Sequence, residues 1–103
     1  MIRNKLNTFL SVTDYRRLTL IESNTRITKI IVDVHGMKCF EVRRFINNII
    51  SIVNSDFKLD IIHGYNHGTA IKDMLANNYN NSHISGRHQD SYNQGITHMS
   101  IAA

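Results

Sequence analysis

The sequence predicts an α/β domain built on a βαβ unit. Three observations carry that expectation: a β-branched run from Ile27 to Val34, a second apolar run from Leu59 to Ile62, and between them apolar residues that recur at helical spacing. Strands joined by a connection as long as residues 36 to 58 pair parallel, and such crossovers are right-handed in nearly all cases. A chain of 103 residues, 42% hydrophobic and 19% charged, suits one core and hence one domain.

Residues 1 to 26 admit two readings. Ile2, Leu6, Phe9 and Leu10 are spaced as on a helix, whereas Leu18 to Ile21 looks extended. We treat this part as a basic N-terminal segment ahead of a domain spanning 27–103. Residues 1 to 29 hold six basic and two acidic side chains, so the whole net charge of +4 lies there. Such an arm suits a polyanion, and it equally suits an ordinary solvated segment.

The strand at Ile27 to Val34 leads into a helix whose stripe is Val42, Phe45, Ile46, Ile49, Ile50 and Val53, with Arg43, Arg44, Asn47 and Asn48 largely off it. Asn54-Ser55 ends it. After Leu59 to Ile62 and the turn His63 to Gly68, a second helix starts near Gly68 or Thr69, with Ile71, Met74, Leu75 and Tyr79 facing inward. Asn77 to Gln94, rich in Asn, Ser, His and Gly, reads as loop or a weak edge strand before a last strand near Ile96 to Ile101. Proline is absent, which removes any rigid linker.

Composition excludes several classes. One cysteine, Cys39, cannot form an internal disulfide and reads as a buried thiol in a reducing compartment. No apolar run approaches the ~20 residues that span a bilayer, and the start lacks the apolar stretch of a signal peptide, so a cytoplasmic location without membrane association is expected.

The two strands end alike, in Asp33-Val34-His35-Gly36 and Ile61-Ile62-His63-Gly64, and each pair of His and Gly precedes a helix. Ligands of open α/β sheets bind outside the carboxyl ends of strands, where loop amides and helix N-termini present partial positive charge. Glycine at 36 and 64 lets the backbone turn and leaves no side chain between amides and an anion. Side chains two apart on a strand share a face, so Asp33 and His35 project together while Val32 and Val34 pack on the other side. A carboxylate beside an imidazole raises its pKa or fixes its tautomer, which suits a general acid or base. The competing reading is that Asp33 caps a turn and the histidines are hydrogen-bonded turn residues.

The second turn, His63-Gly64-Tyr65-Asn66-His67-Gly68-Thr69, can form a nest of amides for phosphate, with Tyr65 placed to stack on a base. His63 and His67 are four apart, but the glycines around them oppose a regular ligand pair, and His83, His88 and His98 add no metal-ligand spacing. No metal and no cofactor are expected.

From about Ile27 to Ile101 the chain resembles the Smr (small MutS-related) domain, found at the C-terminus of MutS2 proteins and as stand-alone bacterial proteins. The family's Leu-Asp-x-His-Gly is similar to Val32-Asp33-Val34-His35-Gly36, its His-Gly-x-Gly-x-Gly to His63 through Gly68, and its Asn-Pro-Gly-x-Thr to Asn93-Gln94-Gly95-Ile96-Thr97. Val32, Asn66 and Gln94 depart from the pattern, and Asn tolerates the left-handed backbone that the turn needs. The resemblance implies a compact β-α-β-α-β-β two-layer sandwich with a mixed, partly parallel sheet, like the C-terminal domain of translation initiation factor three. It also implies binding of DNA or RNA and, in some members, metal-independent endonuclease activity.

Two functions follow as expectations. In the first, Asp33, His35 and His63 are catalytic, and Gly36, Gly64, Tyr65, Asn66, His67, Gly68, Thr69, Arg16 and Arg17 bind the nucleic acid. In the second, the same residues form a non-catalytic module that holds DNA, RNA or a ribosomal surface.

Overall fold

The computed structural model describes residues 2–65 and 68–103. Its elements are α1 (Ile2–Phe9), α2 (Val12–Tyr15), β1 (Leu18–Ser23), β2 (Arg26–Asp33), α3 (Cys39–Val53), β3 (Phe57–Ile62), α4 (Ala70–Asp73), β4 (Ile84–Gln89) and β5 (Ile96–Ile101). The five strands form one sheet in the order β1-β2-β3-β5-β4. Among the described residues β2 and β3 pair parallel, and the other three pairings are antiparallel. From β2 onward the order β-α-β-α-β-β of the expected sandwich is present. No helix among the described residues is long and apolar enough to cross a membrane.

The core follows from alternation in the strands and from the helical stripe. Ile30, Val32, Leu59, Ile61, Thr97, Met99 and Ile101 are buried on one face of the sheet. Against it lie Val42, Phe45, Ile46, Ile49, Ile50 and Val53, every member of the α3 stripe. The opposite face carries the intervening residues, Lys29, Ile31 and Asp33 on β2, Asp60 and Ile62 on β3, and Ile96, His98 and Ser100 on β5, all only partly buried. One face of the sheet is therefore packed and the other is open.

Helix boundaries have local causes. At the start of α3, Glu41 Oε1 accepts from the Lys38 amide at 2.9 Å, satisfying one of the donors that a helix N-terminus leaves unpaired. Asn54 closes it in the left-handed conformation at φ +49, its amide donating to Ile50 O. α4 widens after one turn into a π-helical stretch, Met74–Asn78, where Met74 and Leu75 are buried. Arg87 Nη1 holds the end of that stretch, donating to Leu75 O at 2.7 Å and Tyr79 O at 2.6 Å. The polar segment before the last strand contributes the edge strand β4.

Of the two readings open for the N-terminal residues, both apply, to different parts. Ile2 to Phe9 is helical and packs on α3, and Leu18 to Ser23 pairs with β2 as an edge strand. Leu6 is completely buried and Leu10 is buried too. Their burial sets a test of the boundary expected at residue 27. Leu6→Ala should lower unfolding stability by about 2–5 kcal/mol, the usual range for a truncated core leucine, as measured by urea denaturation. Unchanged stability would show a core already complete from residue 27.

Candidate nucleic-acid interface at the carboxyl edge of the sheet

The parallel ladder aligns the two His-Gly turns. Asp33 pairs with Ile62, and the Val34 amide continues the ladder to Ile62 O at 2.9 Å. His35 and His63 thus leave the same sheet edge on adjacent strands, which stand about 4.8 Å apart, and both line a cleft of about 690 Å³ with Gly36, Met37, Tyr65 and Ile71. Each turn needs its glycine, since φ is +80 at Gly36, +72 at Gly64 and +121 at Gly68. The first turn is closed by the Met37 amide donating to Val34 O at 3.1 Å, with Gly36 at the position where a type II turn requires positive φ.

Asp33 and His35 meet as their shared strand face requires. Asp33 Oδ1 accepts from His35 Nδ1 at 2.5 Å and from the His35 amide at 3.1 Å. With Nδ1 held as the donor, Nε2 is the nitrogen presented outward, and the ring is exposed, at 73% of its side-chain surface. Partial burial alone would raise the Asp33 carboxyl, but the hydrogen bonds from His35 and the charge of Arg17 outweigh it and bring the group below the usual carboxylate range. Arg17 also fixes the backbone here, as Nη1 donates to Asp33 O at 3.0 Å and His35 O at 3.4 Å. Its own carbonyl accepts from the Asp33 amide.

His63 is in the opposite condition. It is 6% exposed, Nδ1 donates to Gly64 O at 2.7 Å, and Nε2 accepts from Thr97 Oγ1 at 2.8 Å. Burial, the largest influence, holds its pKa below the ordinary value, so the neutral ring is favoured. Both nitrogens are occupied within the protein. The same is true of the turn's first amides, which corrects the expectation that they face an anion. His63 and Gly64 donate to Gly95 O at 2.8 and 3.1 Å, because the loop before β5 docks against this turn. A Cβ on Gly95 would stand 3.1 Å from Gly64 Cα, so only glycine allows that approach without a shift.

The other expected residues are distributed as follows. Tyr65 is exposed beside the cleft, and the Gly68 amide donates to Tyr65 O. Thr69 precedes α4 as its N-cap, and its exposed hydroxyl donates to Asp73 Oδ2 at 2.9 Å. Asn66 and His67 lie outside the described residues. Arg16 and Arg17 line a separate recess that His35 borders.

Sequence reasoning missed the network behind the Gly95 loop. His98 Nδ1 donates to Asp60 Oδ1 and Nε2 to Asp90 Oδ1, each at 2.7 Å, and Lys29 pairs with the other oxygen of Asp60 at 3.2 Å. Asp90 Oδ2 accepts the amides of Tyr92 and Asn93, and Asn93 Oδ1 accepts that of Gly95. Two carboxylates favour the imidazolium and raise the His98 pKa, Asp90 contributing most. The His98 ring, followed by the two amides, in turn brings Asp90 down to about 2. The signal was available in the period-2 spacing of β5, which places His98 on the face opposite Thr97.

Comparison with known proteins bears on the fold. The chain superposes on the crystal structure of the Smr domain of Thermus thermophilus MutS2 with a TM-score of 0.55 and 14% sequence identity, over 71% of this chain and 98% of that one. The fold is Smr-like. No protein-family model matches the sequence, and no curated protein matches it. Within this Smr-like fold the two histidines should titrate in a set order. His98, stabilised as the cation, contributes stability below about pH 6.5 that is lost as pH rises through its raised pKa, while His63 contributes above about pH 6.5 and loses its contribution as pH falls. Imidazole ¹⁵N shifts should show His98 protonating at the higher pH; the reverse order would contradict the assigned hydrogen bonds. Gly95→Ala should speed hydrogen exchange at the His63 and Gly64 amides, and exchange at the wild-type rate would show that the loop does not hold the turn.

Proposed function

We propose that this domain binds nucleic acid at the carboxyl edge of its sheet and cleaves a phosphodiester there, with His35 moving the proton. The observation that carries the reading is the Asp33–His35 pair, whose exposed ring has one nitrogen tied to a carboxylate and the other turned outward at the lip of the cleft. An imidazole so held can take a proton from a 2′-hydroxyl or from water as the oxygen attacks phosphorus, and can return it to the leaving oxygen. His63 shapes the site without exchanging a proton, because its ring is buried and bonded on both sides. Similarity to the MutS2 Smr domain supports the fold beneath this reading.

A second reading has its own support. The carbonyl of Gly95 occupies the His63 and Gly64 amides, which removes two donors that would stabilise charge on a phosphorane-like transition state. On that ground the domain is a non-catalytic module for DNA, RNA or a ribosomal surface. Incubation with labelled single-stranded RNA, duplex DNA and supercoiled plasmid, with and without chelator, separates the two. If the domain cleaves, His35→Ala should abolish the reaction, and Asp33→Asn should slow it within the roughly 10²–10⁴-fold range of general acid–base catalysis, while binding falls much less. Circular dichroism should show both variants folded. Cleavage by both variants at the wild-type rate would exclude His35 chemistry, and binding without cleavage by the wild type would leave the second reading.

A further inference from the structure

His35 and Ile62 border two recesses, one on either side of the sheet edge. The first is the cleft of about 690 Å³ already described, which runs toward the helical layer through Met37 and Ile71. The second, of about 550 Å³, lies on the open face of the sheet. Its floor is Ile31 and Ile62, open-face residues that lie diagonally across the β2–β3 ladder, where Ile31 pairs with Asp60 and Ile62 with Asp33. Its wall comes from the short N-terminal helix and the residues after it, Thr13, Arg16 and Arg17. The Arg16 side chain is exposed, and its guanidinium has no partner among the described residues. Among the described residues Arg17 is engaged through Nη1 alone, on the two backbone carbonyls, and it lines the recess.

We infer that the ligand is a single strand that passes over His35, with one nucleotide in the cleft beside Tyr65 and its neighbour in the open-face recess, where Arg16 meets the phosphate. This rests on the nucleic-acid reading above and specifies its substrate. The apolar floor and the two arginines of the wall match the two halves of a nucleotide, a base face and a phosphate, and the Asp33 carboxylate, which also lines the recess, is held by His35. Connecting the two recesses means bending around the edge of a sheet within a few residues' width. A flexible single strand follows that path, whereas duplex DNA, with a persistence length of about 50 nm, resists it. Because the strand continues on both sides of His35, an internal phosphate rather than a chain end is the one presented to the ring.

The test is fluorescence anisotropy with a labelled hexauridylate, a labelled GC-rich RNA duplex of about twelve base pairs that stays annealed under the assay conditions, and uridine monophosphate as a short competitor. The single strand should bind at least tenfold more tightly than the duplex, and the mononucleotide should compete poorly because it fills one recess only. Arg16→Ala should weaken hexamer binding several-fold and reduce the slope of log K against log salt by about 0.7, the value for one phosphate of a single strand. Arg16→Lys should restore the slope. An equal or higher affinity for the duplex, or an Arg16→Ala variant that binds with unchanged affinity and slope, overturns the strand path while leaving nucleic-acid binding intact. Failure of every nucleic acid to bind at low salt overturns the underlying reading as well.

Discussion

Pairing of Asp33 with Ile62 in the parallel β2–β3 ladder is the constraint on which the carboxyl edge depends. Side chains on a strand alternate between faces, so a slip of one residue would turn Asp33 toward the helices and carry Val32 to the open face. The register is held by the core itself. Ile30, Val32, Leu59 and Ile61 are all completely buried, and a one-residue slip of either strand would put Lys29 and Ile31, or Lys58 and Asp60, in their place. Hydrophobic burial therefore sets where two histidines emerge, although neither contributes to the core cluster.

What happens to each histidine after that depends on its neighbours. Among the described residues the His35 ring is tied to Asp33 alone and stays exposed, with Arg17 bracing the backbone beneath it. His63 is enclosed by a second layer of polar contacts, Thr97 on its ring and Gly95 on its amide. That layer is anchored in turn by the charged contacts around His98, on the open face of the sheet. Two identical dipeptides thus meet different surroundings, one exposed and one enclosed, and the difference arises more than thirty residues downstream of His63.

Much of this was legible in the sequence where periodicity carried the information. The α3 stripe and the Asp33–His35 pairing follow from spacings of 3.6 and 2, and the two parallel strands from short apolar runs joined by a long crossover. The parts that were not legible depend on contacts distant in sequence. Nothing near His63-Gly64 reveals that the Gly95 carbonyl will take its amides, and nothing near Leu6 reveals that the residue will be buried against a helix beginning at Cys39. Arg17 looked like a phosphate ligand because its charge is visible in sequence, while its use as a brace for two carbonyls needs the fold. The role of Thr69 was obscured similarly, since its hydroxyl is drawn to Asp73 one turn later.

In the function proposed above, one sheet edge, centred on His35, receives the nucleic acid. Amide chemical-shift mapping of the ¹⁵N-labelled chain during titration with a short single-stranded RNA tests it most directly. The account predicts saturable shifts concentrated at His35, Gly36, Met37, Tyr65 and the start of α4, with α1 and the exposed side of α3 unmoved. Shifts confined to α1 and α3, with His35 and Gly36 unchanged at saturation, would contradict it.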